Sequence, residues 1–357
     1  MSYALSLDTL KSWFLQHKRD FPWRQNPTPY QVWISEVMLQ QTQALRVVDF
    51  YKRWMKQFPT LIDLAQAQLD DVLKAWEGLG YYSRARTLHF AAQDIVARFG
   101  GKIPEDAESL ATIKGLGPYT VGAILSFAFH KKHAAVDANV ARVLARLFAL
   151  SDDTSKAKTL QKFRDIALHI LPDHEPHILA EALIELGASI CKKTPVCLKC
   201  PLNKDCMAFQ QGKQNTLPLK SQKTIYESLY RDVAVVVFDG CVLVSCQKRG
   251  VASTGLYEFP YFESVSGGND PQDIQKYLQD MGIKADFEAH LDEEKQSFTR
   301  YRIALYPKLF LVSQKYDIKD HEWCDRNTLE SLTFSSGHKR ILLALYERGT
   351  ITTREYS

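Results

Sequence analysis

The sequence predicts two unlike domains in succession, an all-helical one with a metal-binding loop and then an α+β one. Three observations carry that prediction. Roughly the first two hundred residues are apolar stretches at three-and-four spacing, the mark of amphipathic helices. Four cysteines, Cys191, Cys197, Cys200 and Cys206, then fall within sixteen residues, separated by five, two and five others. Beyond them the pattern changes to two-residue alternation and β-branched runs, which read as strands. A chain of 357 residues also exceeds what a single core usually organises.

Taken in order, residues 61–76 are apolar at 61, 62, 64, 65, 69, 72, 73 and 76 and predict one helical face. Gly78, Gly80, Gly100, Gly101, Gly115 and Gly117, with Pro104 and Pro118, punctuate the helices that follow. Residues 210–228 are polar, lysine-bearing and interrupted by Pro218, and read as a linker. Val233 to Phe238, Asp239-Gly240 and Cys241 to Ser245 predict a hairpin, because Asp-Gly tolerates the positive φ of a primed turn. Tyr301 to Val312 predicts a strand pair around Pro307, and residues 273–281 and 339–347 predict two helices. The expected divisions are 1–212, a linker at 213–228, and 229–357.

Apolar residues make up 45% and charged residues 24%, an ordinary globular composition. A net charge of +4 permits nucleic-acid binding without demanding it. Asp8, Lys11 and His17 interrupt the N-terminal apolar residues, which argues against a signal peptide, and no apolar run approaches bilayer length. Seven cysteines, an odd number with one tight cluster, suit a reducing compartment. The expectation is a cytoplasmic protein, bacterial in style, monomeric and free of membranes.

Local charge says more. Between Cys191 and Thr224 lie seven lysines and one acidic residue, Asp205, so the cysteine loop is a positive surface suited to a polyanion. By ligand count four thiolates suit tetrahedral zinc or a cubane iron–sulfur cluster equally. Upstream, Glu36 sits in a helical stretch apolar at 32, 33, 34, 37, 38 and 39. Lost hydration there favours the protonated carboxyl, as a general acid requires, whereas the plain alternative is a helix-surface glutamate. Gly115-Leu-Gly117-Pro-Tyr119 precedes an apolar helix and reads as a helix-hairpin-helix unit, which grips DNA through its backbone. Asp137 is placed to cap the next helix. Held ionised, it would pair with a protonated Glu36 as glycosidic cleavage needs.

Pro22-Trp23-Arg24, the stretch from Tyr30 to Gln43, Trp76-Glu-Gly-Leu-Gly-Tyr-Tyr-Ser-Arg-Ala-Arg86, the hairpin, Val136-Asp-Ala-Asn-Val140, Ala182-Leu-Ile-Glu-Leu-Gly187 and the four cysteines together resemble the A/G-specific adenine DNA glycosylases. The resemblance implies a helix-hairpin-helix glycosylase domain with an iron–sulfur loop, then a Nudix-like domain that inspects the opposite base. It implies removal of adenine from double-stranded DNA where adenine mispairs with 8-oxoguanine or guanine. Glu36 would protonate the purine and Asp137 would stabilise the sugar cation, with Tyr119 and Asn139 positioning the reacting groups. Trp23, Arg24 and Glu181 would form the adenine pocket. Gln41 and Tyr81 would fill the gap left in the stack, with Thr42, Leu79, Gly80, Gly115 and Gly117 also at the DNA. Cys191, Cys197, Cys200 and Cys206 would hold a 4Fe–4S cluster.

The sequence departs from the family in places. Bifunctional relatives resembling endonuclease III carry an imine-forming lysine where Tyr119 stands, so the chain is expected to be monofunctional. Five residues separate the first two cysteines where the family usually has six. The segment Ile274 to Met281 lacks the arginine and glutamates of a working Nudix helix. In the loop that reads 8-oxoguanine, Phe298 and Thr299 match the family, but Arg300 replaces its histidine. The alternatives are a bifunctional glycosylase, a DNA-binding scaffold without catalysis, and a nucleotide-pool hydrolase driven by the second domain.

Overall fold

The computed structural model describes residues 7–221, 225–246, 255–268, 270–298 and 300–351. It divides into two compact units, Met1–Ala67 with Arg86–Lys223, and Gln68–Ala85 with Thr224–Ser357. No helix among the described residues is long and apolar enough to cross a membrane.

Twelve α-helices precede the strands among the described residues. They are α1 (Leu7–His17), α2 (Pro29–Leu39), α3 (Ala44–Gln57), α4 (Leu61–Gln66), α5 (Leu69–Trp76), α6 (Ser83–Phe99), α7 (Ala107–Ala111), α8 (Pro118–Ala123), α9 (Ala138–Leu147), α10 (Ala157–Ile170), α11 (Pro176–Ser189) and α12 (Met207–Gln210). In the first unit, α2 starts on a capping box in which Thr28 and Gln31 satisfy each other's backbone N–H groups, with Pro29 at the first helical position. It is buried along nearly its whole length. The Tyr30 hydroxyl pins it by donating to the Phe58 carbonyl at 2.9 Å while accepting from the Trp54 indole at 3.1 Å.

The single helix expected over 61–76 is two. Ala67 and Gln68 are extended, and Asp70 and Asp71 begin a second helix where acidic side chains favour the positive end of the backbone dipole. The break coincides with the boundary between the units. The expected linker also differs. Leu217 is buried, its carbonyl accepts from Arg146 at 2.9 Å, and the backbone N–H of Thr154 donates to Leu219 at 3.0 Å, so the chain stays docked on the first unit past Pro218.

The second unit is built on a sheet of β1 (Glu227–Phe238), β2 (Cys241–Cys246), β3 (Tyr257–Glu258), β4 (Tyr261–Ser264), β5 (Asp286–His290), β6 (Glu294–Phe298), β7 (Tyr301–Leu311) and β8 (Glu322–Cys324). The path β3-β2-β1-β7-β5 is joined by β4 on β1, β6 on β7 and β8 on β2. The predicted hairpin is present, with Phe238 facing Cys241 and positive φ at both Asp239 and Gly240. β1 and β7 run parallel from Glu227 opposite Tyr301 to Val237 opposite Leu311. Alternation along β1 sorts two cores. Val233, Val235 and Val237 face α14 (Arg326–Ser331) and α15 (Ser336–Glu347), while Ala234 and Val236 face α13 (Pro271–Asp280).

Pro307 does not divide a strand pair, because β7 runs straight through it. The residue falls where β6, paired through Leu305, gives way to β5, paired from Lys308. On that side its carbonyl accepts from the Leu291 N–H, and its missing hydrogen leaves no ladder acceptor unmet.

Candidate active site

A cleft of about 1260 Å³ opens in the first unit. It brings together residues that the sequence scatters from 23 to 181: Trp23, Arg24, Glu36, Gln41, Thr42, Tyr119, Asp137, Asn139 and Glu181 all line it.

Glu36 is at its centre. It lies in the middle of buried α2, with 7% of its surface exposed, so the helix-surface alternative is excluded. The Tyr119 hydroxyl, from the first turn of α8, donates to its Oε2 at 2.5 Å. Burial raises the Glu36 carboxyl to about 7. The Tyr119 hydrogen bond opposes that rise, and the fields of Asp137 and Glu181 add to it. Such a group holds a proton near neutrality and can give it up there, as a general acid must. Burial together with Glu36 pushes the Tyr119 phenol well above its usual range, so it stays a donor.

Asp137 caps α9, accepting the Val140 N–H on Oδ1 at 2.7 Å, while Asn139 Nδ2 donates to Oδ2 at 2.7 Å. These donors favour the anion, as the sequence predicts. Burial still exceeds them, so the carboxyl sits above its ordinary value. Arg142 donates to Asn139 Oδ1 at 2.8 Å and to the carbonyls of Gly187 and Cys191 at 3.0 and 2.7 Å. The Asp137 turn is therefore braced by α11 and by the start of the cysteine loop.

The opposite wall is an ion network. Arg24 pairs with Glu181 at 3.1 Å and with Glu185 at 2.8 Å, and Arg19 meets Glu185 at 2.6 Å. Trp23 stacks on Phe21 at 4.7 Å and meets Tyr51 edge-on at 5.4 Å. Sequence reasoning missed Glu185 and Arg19, as well as His130 stacked on His177 at 4.0 Å in the same cleft. No local signal separates these from ordinary surface residues. Glu185 stands four after Glu181 on α11, a helical spacing that could have suggested a shared face.

Gln41 is exposed just beyond α2 at φ 56°, an uncommon conformation for a non-glycine residue. In the hairpin, Gly115 has φ 101° and a Cβ there would meet Thr87 Cγ2 at 2.1 Å, so only glycine fits. Gly117 is an exposed N-cap without a side-chain cap, and a Cβ there would meet nothing. Leu79, Gly80 and Tyr81 belong to the second unit. So does Phe298, at the end of β6 opposite Tyr301, whereas Thr299 lies outside the described residues.

None of the four cysteines is in a disulfide. They lie within one another's electrostatic reach, and burial pushes Cys200 up to about 12 and raises Cys197 and Cys206. Arg146 Nη1 is 3.4 Å from Cys191 Sγ, and backbone N–H groups of Leu202, Ala208 and Phe209 oppose the rise at Cys200 and Cys206. Thiols so placed ionise only when a cationic centre compensates them. Among the described residues, no three His, Cys, Asp or Glu side chains converge to hold a single metal ion.

Residues 34–167 match the HhH-GPD superfamily of base excision DNA repair proteins. The fold agrees: a solved structure of a thermostable thymine-DNA glycosylase superposes with a TM-score of 0.54 at 27% identity, covering 57% of this chain and 95% of that one. The chain is 43% identical over 222 residues to the adenine DNA glycosylase of Rattus norvegicus. That match takes in 58% of this chain and 43% of the rat protein, so the chain spans less than half of that relative's length. The match to the adenine DNA glycosylase of Buchnera aphidicola subsp. Baizongia pistaciae is 34% identical and covers 88% of both chains. The chain belongs to the adenine DNA glycosylase family.

Proposed function

We propose that the protein is a monofunctional DNA glycosylase that excises adenine mispaired with 8-oxoguanine or guanine. The observation that carries this reading is the burial of Glu36, whose carboxyl stands near 7 within the field of Asp137. Glu36 gives its proton to the five-membered ring of an everted adenine, and the base leaves with the electrons of its bond to the sugar. The Asp137 anion shelters the resulting sugar cation until water adds to it and releases a proton. Tyr119 holds Glu36 Oε2 and leaves Oε1 to carry the proton, while Asn139 fixes Asp137. Trp23 offers an aromatic face to the base, and Glu181, anchored by Arg24, accepts from its amino group. Gln41 and Tyr81, each exposed at positive φ, fill the vacated stack and offset the cost of unstacking, about a few kcal/mol.

With a phenol at position 119 no imine forms. Single-turnover assays on duplexes carrying adenine opposite 8-oxoguanine, guanine, cytosine or thymine should release adenine from the first two. Borohydride should trap no covalent complex; efficient trapping would show that an amine attacks the sugar.

The four thiols supply the donor set of a 4Fe–4S cluster, and we assign them to one. By ligand count four thiolates suit zinc or the cluster equally, and membership of the adenine DNA glycosylase family is what favours the cluster. Bound there, the cluster would pin the lysine-rich loop and supply a redox-active centre. Arg146 and the amides around the thiols compensate the thiolate charge. Purified protein should contain about four irons per chain. Stripping them should raise the Kd of duplex binding and make its salt dependence shallower, as followed by fluorescence anisotropy. The second unit is assigned as a Nudix-like reader of the opposite base, with Phe298 at the end of β6.

A further inference from the structure

Residues 68–85 lie in sequence between α4 and the body of α6, yet they belong to the second unit, and one side chain explains much of that allegiance. Glu77 follows α5 directly. Its Oε1 accepts the backbone N–H of Phe334 at 3.1 Å, and its Oε2 pairs with Lys339 of α15 at 3.3 Å and Lys74 of α5 at 3.2 Å. Lys74 also donates to the Leu332 carbonyl at 2.7 Å, and beyond the turn the Tyr82 hydroxyl donates to the Phe334 carbonyl at 3.3 Å. Both ends of the turn at 78–81 are thus tied to the segment leading into α15.

The turn itself is stiff. Gly78, Gly80 and Tyr81 all have positive φ. The Gly80 carbonyl accepts from the Trp76 indole and from Arg84, both at 3.0 Å. The Arg84 guanidinium lies over the Trp76 and Tyr81 rings at 5.1 and 5.5 Å. Tyr81 remains 40% exposed, an aromatic face on a backed turn with a cation beside it, the chemistry of a nucleobase-stacking platform.

We propose that Glu77 is the positioning residue that fixes the 78–81 turn, whose Tyr81 enters the vacated stack. The inference rests on the glycosylase reading above. A side chain wedged into a base stack works against stacking energy, so its support must not yield under load. The Glu77 carboxylate supplies that support from two sides, through a backbone hydrogen bond and two ammonium groups of the same unit.

The test measures affinity, with Glu36→Gln present so that no turnover intervenes. One duplex carries the adenine mispair and must be opened. The other has a tetrahydrofuran abasic analogue in place of the adenine nucleotide, so little stacking is left to disrupt. Glu77→Ala should weaken binding to the first about tenfold and leave the second unchanged. Glu77→Gln, which still accepts from Phe334, should recover most of the loss, and Lys339→Met should reproduce part of it without touching the carboxylate. Equal losses on both duplexes, or none on either, would overturn the proposal. Thermal melts identify any variant that fails to fold, and Lys339→Met then decides the matter by the same comparison. Failure of the unaltered protein to release adenine would overturn the functional reading instead, a result independent of the comparison between variants.

Discussion

Replacing Glu36 with glutamine should cut adenine release by about 10²–10⁴-fold, the range lost with a general acid, and leave duplex affinity nearly unchanged. Glutamine keeps the acceptor that Tyr119 addresses but has no proton to give. Because the acid form is the donor, release by the unaltered protein should fall as pH rises through about 7, and the variant should lose that limb. Stability should move in the same direction. Between the ordinary carboxyl value near 4.5 and about 7, the folded chain holds a proton that the unfolded chain has released, so stability declines as pH rises through this window. Above pH 7 the glutamine variant should therefore be the more stable, by about 3 kcal/mol. Chemical denaturation at pH 5 and pH 8 reads the difference, and equal stabilities at both would mean the carboxyl is not buried in its charged form.

Changing Asp137 to asparagine should slow base release by about 10²–10³-fold, as expected when a fixed charge aimed at a developing cation is removed. Asparagine still accepts the Val140 N–H, so the start of α9 survives and circular dichroism should be unchanged. Because the anion is the working form, protonating Asp137 should lower the rate at acid pH. With Glu36 governing the alkaline side, the profile should be bell-shaped. Single-turnover rates across pH test both limbs. An asparagine variant that keeps full speed would leave the sugar cation without its proposed shelter.

The parts of this site that were legible in the sequence are those set by neighbours along the chain. Glu36 among apolar residues announces its own burial, and Asp137 before an apolar helix announces a cap. Contacts between distant positions were not legible. Tyr119 reaches Glu36 across 83 positions and Arg24 reaches Glu185 across 161, and an amphipathic pattern states only that a face is buried, not against what. Residues 61–76 show the same limit, since one periodicity described two helices that serve different cores. Pro307 misled for a related reason. The rule against proline in a central strand concerns one lost hydrogen, and here two neighbouring strands end where that hydrogen would point.

Gly187 lies outside the cleft, on α11, with its backbone drawn up to the Asp137 turn. A methyl group at this position would stand 2.7 Å from Asn139 Cβ and 3.0 Å from the Asn139 carbonyl oxygen, in space that backbone already fills. The proposed reaction centre is thus exposed to damage from behind. Even a one-carbon insertion there would tilt the amide that orients the anion, and a mutational survey confined to the walls of the cleft would never sample it.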